Sequence, residues 1–121
     1  MNGAELLHDA ARRIDVGWCQ GTEATTVEGT PIDVCSAGAA KWSLLGALQA
    51  AAVSDEWTQL RDVEVAVSAI ADLIEDPSLA HWNDVPSRTA GDVSNLLDRA
   101  ESIARASERP RAPRERREQL A

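Results

Sequence analysis

The stretch "SAGAAKWSLLGALQAAAV", from Ser36 to Val53, limits what this chain can fold into more than any other. It is almost entirely apolar or small and has no polar face. A helix of that kind is buried on most sides. The stretch is therefore predicted as a central helix over 36–53, with the other elements packed around it. Gly38 and Gly46 each cost about 1 kcal/mol against Ala inside a helix. Their expected role is to let a neighbouring backbone come close. Lys41 and Gln49 lie eight apart and are expected to mark its one solvated edge.

The flanking segments carry helix grammar. Asn2 with Glu5 three residues on fits a capping box, and Leu7, Ala10, Ala11 and Ile14 repeat at helical spacing until Gly17. Between Gly17 and Val34 the periodicity is lost. Glu28-Gly29, set between "TTV" and "TPI", predicts a short β-hairpin there. A third helix is expected from a cap at Ser54 or Asp55 to about Glu75, with Leu60, Val63, Val67, Ile70 and Ile74 facing inward. Asp76-Pro77 ends it, because the residue before proline avoids the helical region. A fourth helix starts at Thr89, with Asp92 completing a capping box. Val93, Leu96, Leu97, Ala100, Ile103 and Ala104 form its apolar face. The predicted fold class is mainly α: a four-helix domain over residues 1–107, with a hairpin between helices one and two.

Hydrophobic residues make up 44% of the 121, enough for a single globular core. The net charge is −8, which makes direct binding to polyanionic nucleic acid or to an anionic membrane surface unfavourable. No apolar run approaches the ~20 residues of a membrane span, and the N-terminus lacks the pattern of a signal peptide. A cytoplasmic location is expected. Cys19 and Cys35 are then expected as free thiols. Two cysteines and two histidines without dense spacing predict no metal site and no cofactor. Residues 108–121 carry five arginines against three glutamates, which leaves −10 on residues 1–107. Arg109, Arg111, Arg114, Arg116 and Arg117 thus form a basic, Pro-containing tail on an acidic body. The tail is expected to contact a partner, either a host protein or a second copy of the chain in a homodimer.

The stretch "HWNDVPSRT", from His81 to Thr89, is the densest in distinctive side chains. Thr89 starts a helix, and Pro86 stiffens the approach. Trp82, Asn83, Asp84 and Arg88 remain to be explained. In one reading they form a rigid knot joining two helices, with Arg88 paired to Asp84 across the turn. In the other they serve chemistry, with Cys35 activated at the start of the central helix and His81 as base. Nothing in the sequence brings those two together, and there is no P-loop, nucleophile elbow or H-E-x-x-H pattern.

"GWCQG", "AAKWSLLGAL" and "WNDVPSRTAGDVSNLLDRA" resemble an uncharacterised domain-of-unknown-function family found in actinobacteria and their phages. The resemblance covers roughly residues 4–104. Trp18, Gln20, Gly21, Gly46, Ala47, Trp82, Asn83, Asp84, Arg88 and Thr89 match its pattern. It implies a cysteine in many members where this chain has Ser43, so a thiol at that position is not an essential nucleophile here. It brings no activity. Trp18 and Trp82 can bracket one surface, with Gln20, Asn83, Asp84 and Arg88 as its polar groups. The alternative is that these residues bond one another and pin the hairpin to the last helix. The expected function is a non-enzymatic protein-interaction module, a phage or actinobacterial accessory factor acting on a host protein. The rival functions are a small-ligand binder or enzyme using the Trp/Asn/Asp/Arg patch, and an acidic DNA mimic.

Overall fold

In the computed structural model, residues 1–108 are described. Five helices and one pair of short strands follow in the order α1 (Gly3–Val16), β1 (Ala24–Thr25), β2 (Lys41–Trp42), α2 (Leu44–Ser54), α3 (Leu60–Ala71), α4 (Leu79–Asn83) and α5 (Ala90–Ser107). The chain is thus mainly helical, with an antiparallel strand pair between the first two helices. The expected tail contacts of Arg109, Arg111, Arg114, Arg116 and Arg117 lie outside the described residues.

The starts of α1 and α5 follow the sequence closely. Asn2 and Glu5 form the capping box of α1, and Thr89 and Asp92 that of α5. The first N–H groups of a helix have no partner within it. In α1, Gly3 and Ala4 donate theirs to the Glu108 carboxylate, 3.1 and 2.9 Å away. That carboxylate sits just past the end of α5, so α1 and α5 run antiparallel with their ends tied. Leu6, Leu7, Leu44, Ile70, Val93 and Leu97 are fully buried, and alanines fill much of the remaining core.

The central helix is shorter than predicted. It begins at Leu44, capped by the Ser43 hydroxyl on the Gly46 N–H (3.1 Å). Gly38 and Lys41 therefore lie outside it. Lys41 belongs to β2, whose Trp42 bonds the Gly17–Cys19 segment and stands in register with Ala24 of β1. An apolar run without polar punctuation reads alike as buried strand or buried helix, and here it contains both. The expected hairpin also pairs differently. Its turn is present, with Thr26 N–H on Thr30 O and Gly29 at φ +93°. The strand ladder, however, matches Ala24 with Trp42 and Thr25 with Lys41, and Thr25 meets Pro31 in a single bridge.

α3 is capped at Gln59 rather than at Ser54 or Asp55, and it ends at Ala71. Asp55 instead closes α2 and pairs with the Met1 amino group. The later start leaves Leu60 on the exposed first turn, and Val67 is also on the outside. Ala66, Ala69 and Ile70 are the buried positions. The fifth helix is α4, in the connection between Pro77 and Thr89 where no helix is predicted. Ser78 caps it through the His81 N–H, and Asp84 ends it.

Gly46 has the role expected of it. A Cβ there would lie 1.8 Å from the Glu23 carbonyl oxygen. That backbone cannot retreat easily, since it also accepts the Ser43 N–H at 3.0 Å. Gly46→Ala should cost about 3 kcal/mol or more. Gly91→Ala is the control, because its added methyl group meets only Thr89 Oγ1, at 3.7 Å. Urea denaturation should show a large fall in midpoint for the first variant and no fall for the second.

Candidate functional site

The side chains of Trp18, Gln20, Asn83 and Asp84 converge, and their polar groups are turned on one another. Asn83 stands at the end of α4 and is fully buried. Its Oδ1 accepts from Trp18 Nε1 at 2.8 Å and from the Leu44 N–H at 3.0 Å. Its Nδ2 donates to the Cys19 carbonyl at 3.1 Å and to Asp84 Oδ1 at 3.0 Å. The amide orientation follows from these partners. Rotating it by a half turn would set donors against the indole and backbone N–H groups. One side chain therefore joins α4 to the segment after α1 and to the first N–H of α2.

The neighbouring side chains extend this lock. Gln20 Nε2 donates to the Asn83 and Val85 carbonyls, both at 2.9 Å. The Gly21 N–H reaches Asp84 Oδ1 at 3.0 Å. Gly21 holds φ +82°, a conformation that glycine adopts without steric cost. Arg88 does not pair with Asp84 as expected. Its Nε donates to the Trp82 carbonyl at 3.0 Å, and its guanidinium stacks on the Trp82 ring, 3.8 Å from the centroid. Flat stacking of this kind is a cation–π contact, and it closes the α4–α5 turn around Pro86. Trp82 itself packs against the core. No buried side-chain polar atom among the described residues lacks a hydrogen-bond partner.

The groups considered for catalysis are apart. Cys35 stands nine residues before α2, in an exposed loop, so no helix start faces it. It lines a hollow of about 250 Å³ with Arg13, Trp42 and Val53, and His81 does not line that hollow. His81 is bound to Asp76 rather than to Asp84. Burial, and next the Asp84 carboxylate, push the Cys19 thiol up, so it is protonated at neutral pH. Asp84 is exposed and lines a hollow of about 220 Å³ with Gly21, Glu23 and Ser43, which neither Trp18 nor Trp82 lines. Among the described residues, no group of three or more His, Cys, Asp or Glu is placed to hold a metal ion. No described helix is long and apolar enough to cross a membrane.

Two features escaped the sequence reading. Most partners of Asn83 and Gln20 are backbone atoms, which residue types do not reveal. The Asp76–His81 pair was open to discovery, because Ser78 three residues before His81 is a helix-start signal.

Asn83→Asp keeps the shape and reverses a donor. A carboxylate oxygen would then face the Cys19 carbonyl and the Asp84 carboxylate. The loss should be about 3 kcal/mol or more at neutral pH. It should shrink on acidification, when the protonated carboxyl donates again. Urea midpoints at about pH 7 and pH 4.5 check both statements. A second prediction concerns His81. The hydrogen bond to Asp76 raises the His81 pKa and lowers that of Asp76. The histidine contribution is complete below its unfolded pKa of about 6.5 and is lost as pH rises through the raised folded value. The aspartate contribution is lost as pH falls through its lowered folded value. His81→Gln should therefore destabilise most between about pH 4 and 6.5 and least in alkali, read from thermal midpoints across pH.

No curated protein and no solved structure matches the chain. One family does, over residues 1–103, which contain every residue of the lock. The chain belongs to that family, the family of unknown function DUF6197.

Proposed function

We propose that this protein is a non-enzymatic protein-interaction module, a phage or actinobacterial accessory factor whose partner is a host protein. The observation that carries this reading is the contrast between the inward-turned lock and an apolar surface elsewhere. The lock's polar side chains bond backbone atoms and one another, which supports a structural role for them. At the α2–α3 junction, Trp57 is 78% exposed and Leu60 75% exposed, with Val53 of α2 67% exposed nearby in the chain. Single exposed hydrophobics are ordinary. A large aromatic with aliphatic neighbours within eight residues is what interface anchors are made of. Trp57 also adds little to the fold, because its side chain is outside the core.

The rival reading, a small-ligand site, draws on the hollow beside Asp84. One experiment separates the two. The intact protein is immobilised and used to capture partners from an actinobacterial lysate, beside a Trp57→Ser/Leu60→Ser variant and an Asp84→Asn variant. The proposal expects a partner held by the wild type and by Asp84→Asn, and lost from the surface variant. The stability of the surface variant should stay within about 0.5 kcal/mol of the wild type's. Capture unaffected by the surface variant, or no partner together with a monomeric mass by light scattering, would overturn it.

A further inference from the structure

The described chain ends at the mouth of a groove. Between α3 and α5 lie two adjoining hollows of about 350 and 480 Å³, which share Arg61 and Val65. Val65 and Ile103 give the groove an apolar floor. Its walls are acidic: Asp62, Glu64, Asp72 and Glu108 line it, against the single cation Arg61. Glu64 and Asp72 have no side-chain hydrogen-bond or ion-pair partner among the described residues. Glu108 is held by the Gly3 and Ala4 N–H groups, which fixes where residue 109 must begin.

We infer that residues 109–121 of the same chain dock in this groove. These residues carry five arginines and two glutamates, and so complement the groove in sign. The length also suffices. Thirteen residues extended span up to about 43 Å, whereas Asp62 to Asp72 covers ten residues of helix, about 15 Å. The spacing agrees as well. Glu64 and Asp72 are eight residues apart, about 12 Å along α3. Arg111 and Arg114, or Arg114 and Arg117, are about 10 Å apart in extended chain, and their long side chains cover the difference. Arginine suits the role because its planar fork meets a carboxylate with two parallel hydrogen bonds. Leu120 is the tail's one large apolar residue, and Val65 and Ile103 offer it a surface. Tethering places the tail at an effective concentration in the millimolar range, so contacts that are individually weak at an exposed surface suffice together. They should weaken at 1 M salt, where the screening length falls to about 3 Å.

The test uses the full chain and backbone amide relaxation by NMR. Order parameters at Arg111–Arg117 should stand above about 0.6 in the wild type and fall below it in Glu64→Gln/Asp72→Asn. They should be unchanged in Glu28→Gln/Asp98→Asn, which removes the same charge outside the groove, and unchanged on tenfold dilution. In the reverse experiment, Arg111→Ser/Arg114→Ser/Arg117→Ser should shift the amides of Ser68 and Asp72 and leave those of Asn83 and Leu44 in place. Glu28, Glu64, Asp72 and Asp98 are exposed, so substitutions there keep the fold. Order parameters below about 0.6 in the wild type would overturn the inference. So would equal loss in the Glu28/Asp98 variant, which would mean charge attraction without a site. Ordering that disappears on dilution together with a dimeric mass would assign the groove to a second copy's tail and overturn docking within the chain.

Discussion

The fold depends on one buried amide. Asn83 makes four hydrogen bonds from a side chain with no exposure, and three of its partners belong to segments distant in the sequence: Trp18, Cys19 and Leu44. A buried polar group is worth little when satisfied and costs much when it is not. Its energetic contribution is therefore asymmetric. Pairing adds modestly to the native state, and an arrangement that misplaces α4 against α2 leaves the amide and up to three partners, the Trp18 indole, the Leu44 N–H and the Cys19 carbonyl, unmet. The amide thus selects one packing among the several that an alanine-rich core would tolerate, because smooth, small side chains discriminate poorly between registers.

That selection needs backbones in close contact. The Leu44 N–H reaches Asn83 only because α2 starts beside the Glu23 carbonyl, and α2 approaches Glu23 only because residue 46 has no Cβ. Ser43 then serves both sides, capping α2 through its hydroxyl and donating its backbone N–H to Glu23. The β1–β2 pair is too short to stand alone. It persists because Trp42 is bonded by the Gly17–Cys19 segment, is covered by Arg13, and donates its indole N–H to the Val34 carbonyl. Lock and strand pair are therefore a single construction at one end of the helices.

Local chemistry was legible in the sequence, and its partners were not. Both capping boxes, at Asn2 and Thr89, could be read because cap and partner are three residues apart. The role of Gly46 could be read because a glycine inside a helix needs a reason. The boundary at Leu44 had one local signal, the cap residue Ser43, but the apolar and small residues on both sides of it hid where strand becomes helix. α3 was misplaced because Ser54 and Asp55 are good caps by type, whereas Gln59 is capped by reciprocity with Asp62. In the His81–Thr89 stretch the residue types suggested a knot. They could not show that Asn83 and Gln20 bond mainly backbone, or that Arg88 prefers the face of Trp82 to the charge of Asp84.

The acidic composition also acquires a structural meaning. Glu5, Asp33, Asp55, Asp62, Asp76, Asp84, Asp92 and Glu108 each accept a backbone N–H at a helix start or a turn. Carboxylates suit those places because they meet both the unpaired donors and the positive end of the helix dipole. A short chain with five helices and many turns has many such places, so much of its negative charge follows from its architecture. That origin argues against carboxylates arranged to imitate a phosphate row, since helix starts are scattered over the molecule. The acids that cap nothing include Glu64 on α3 and Asp72 just past its end, which have no side-chain partner among the described residues. These two line one groove, and that part of the acidic surface, which the fold does not use, is left to meet something basic.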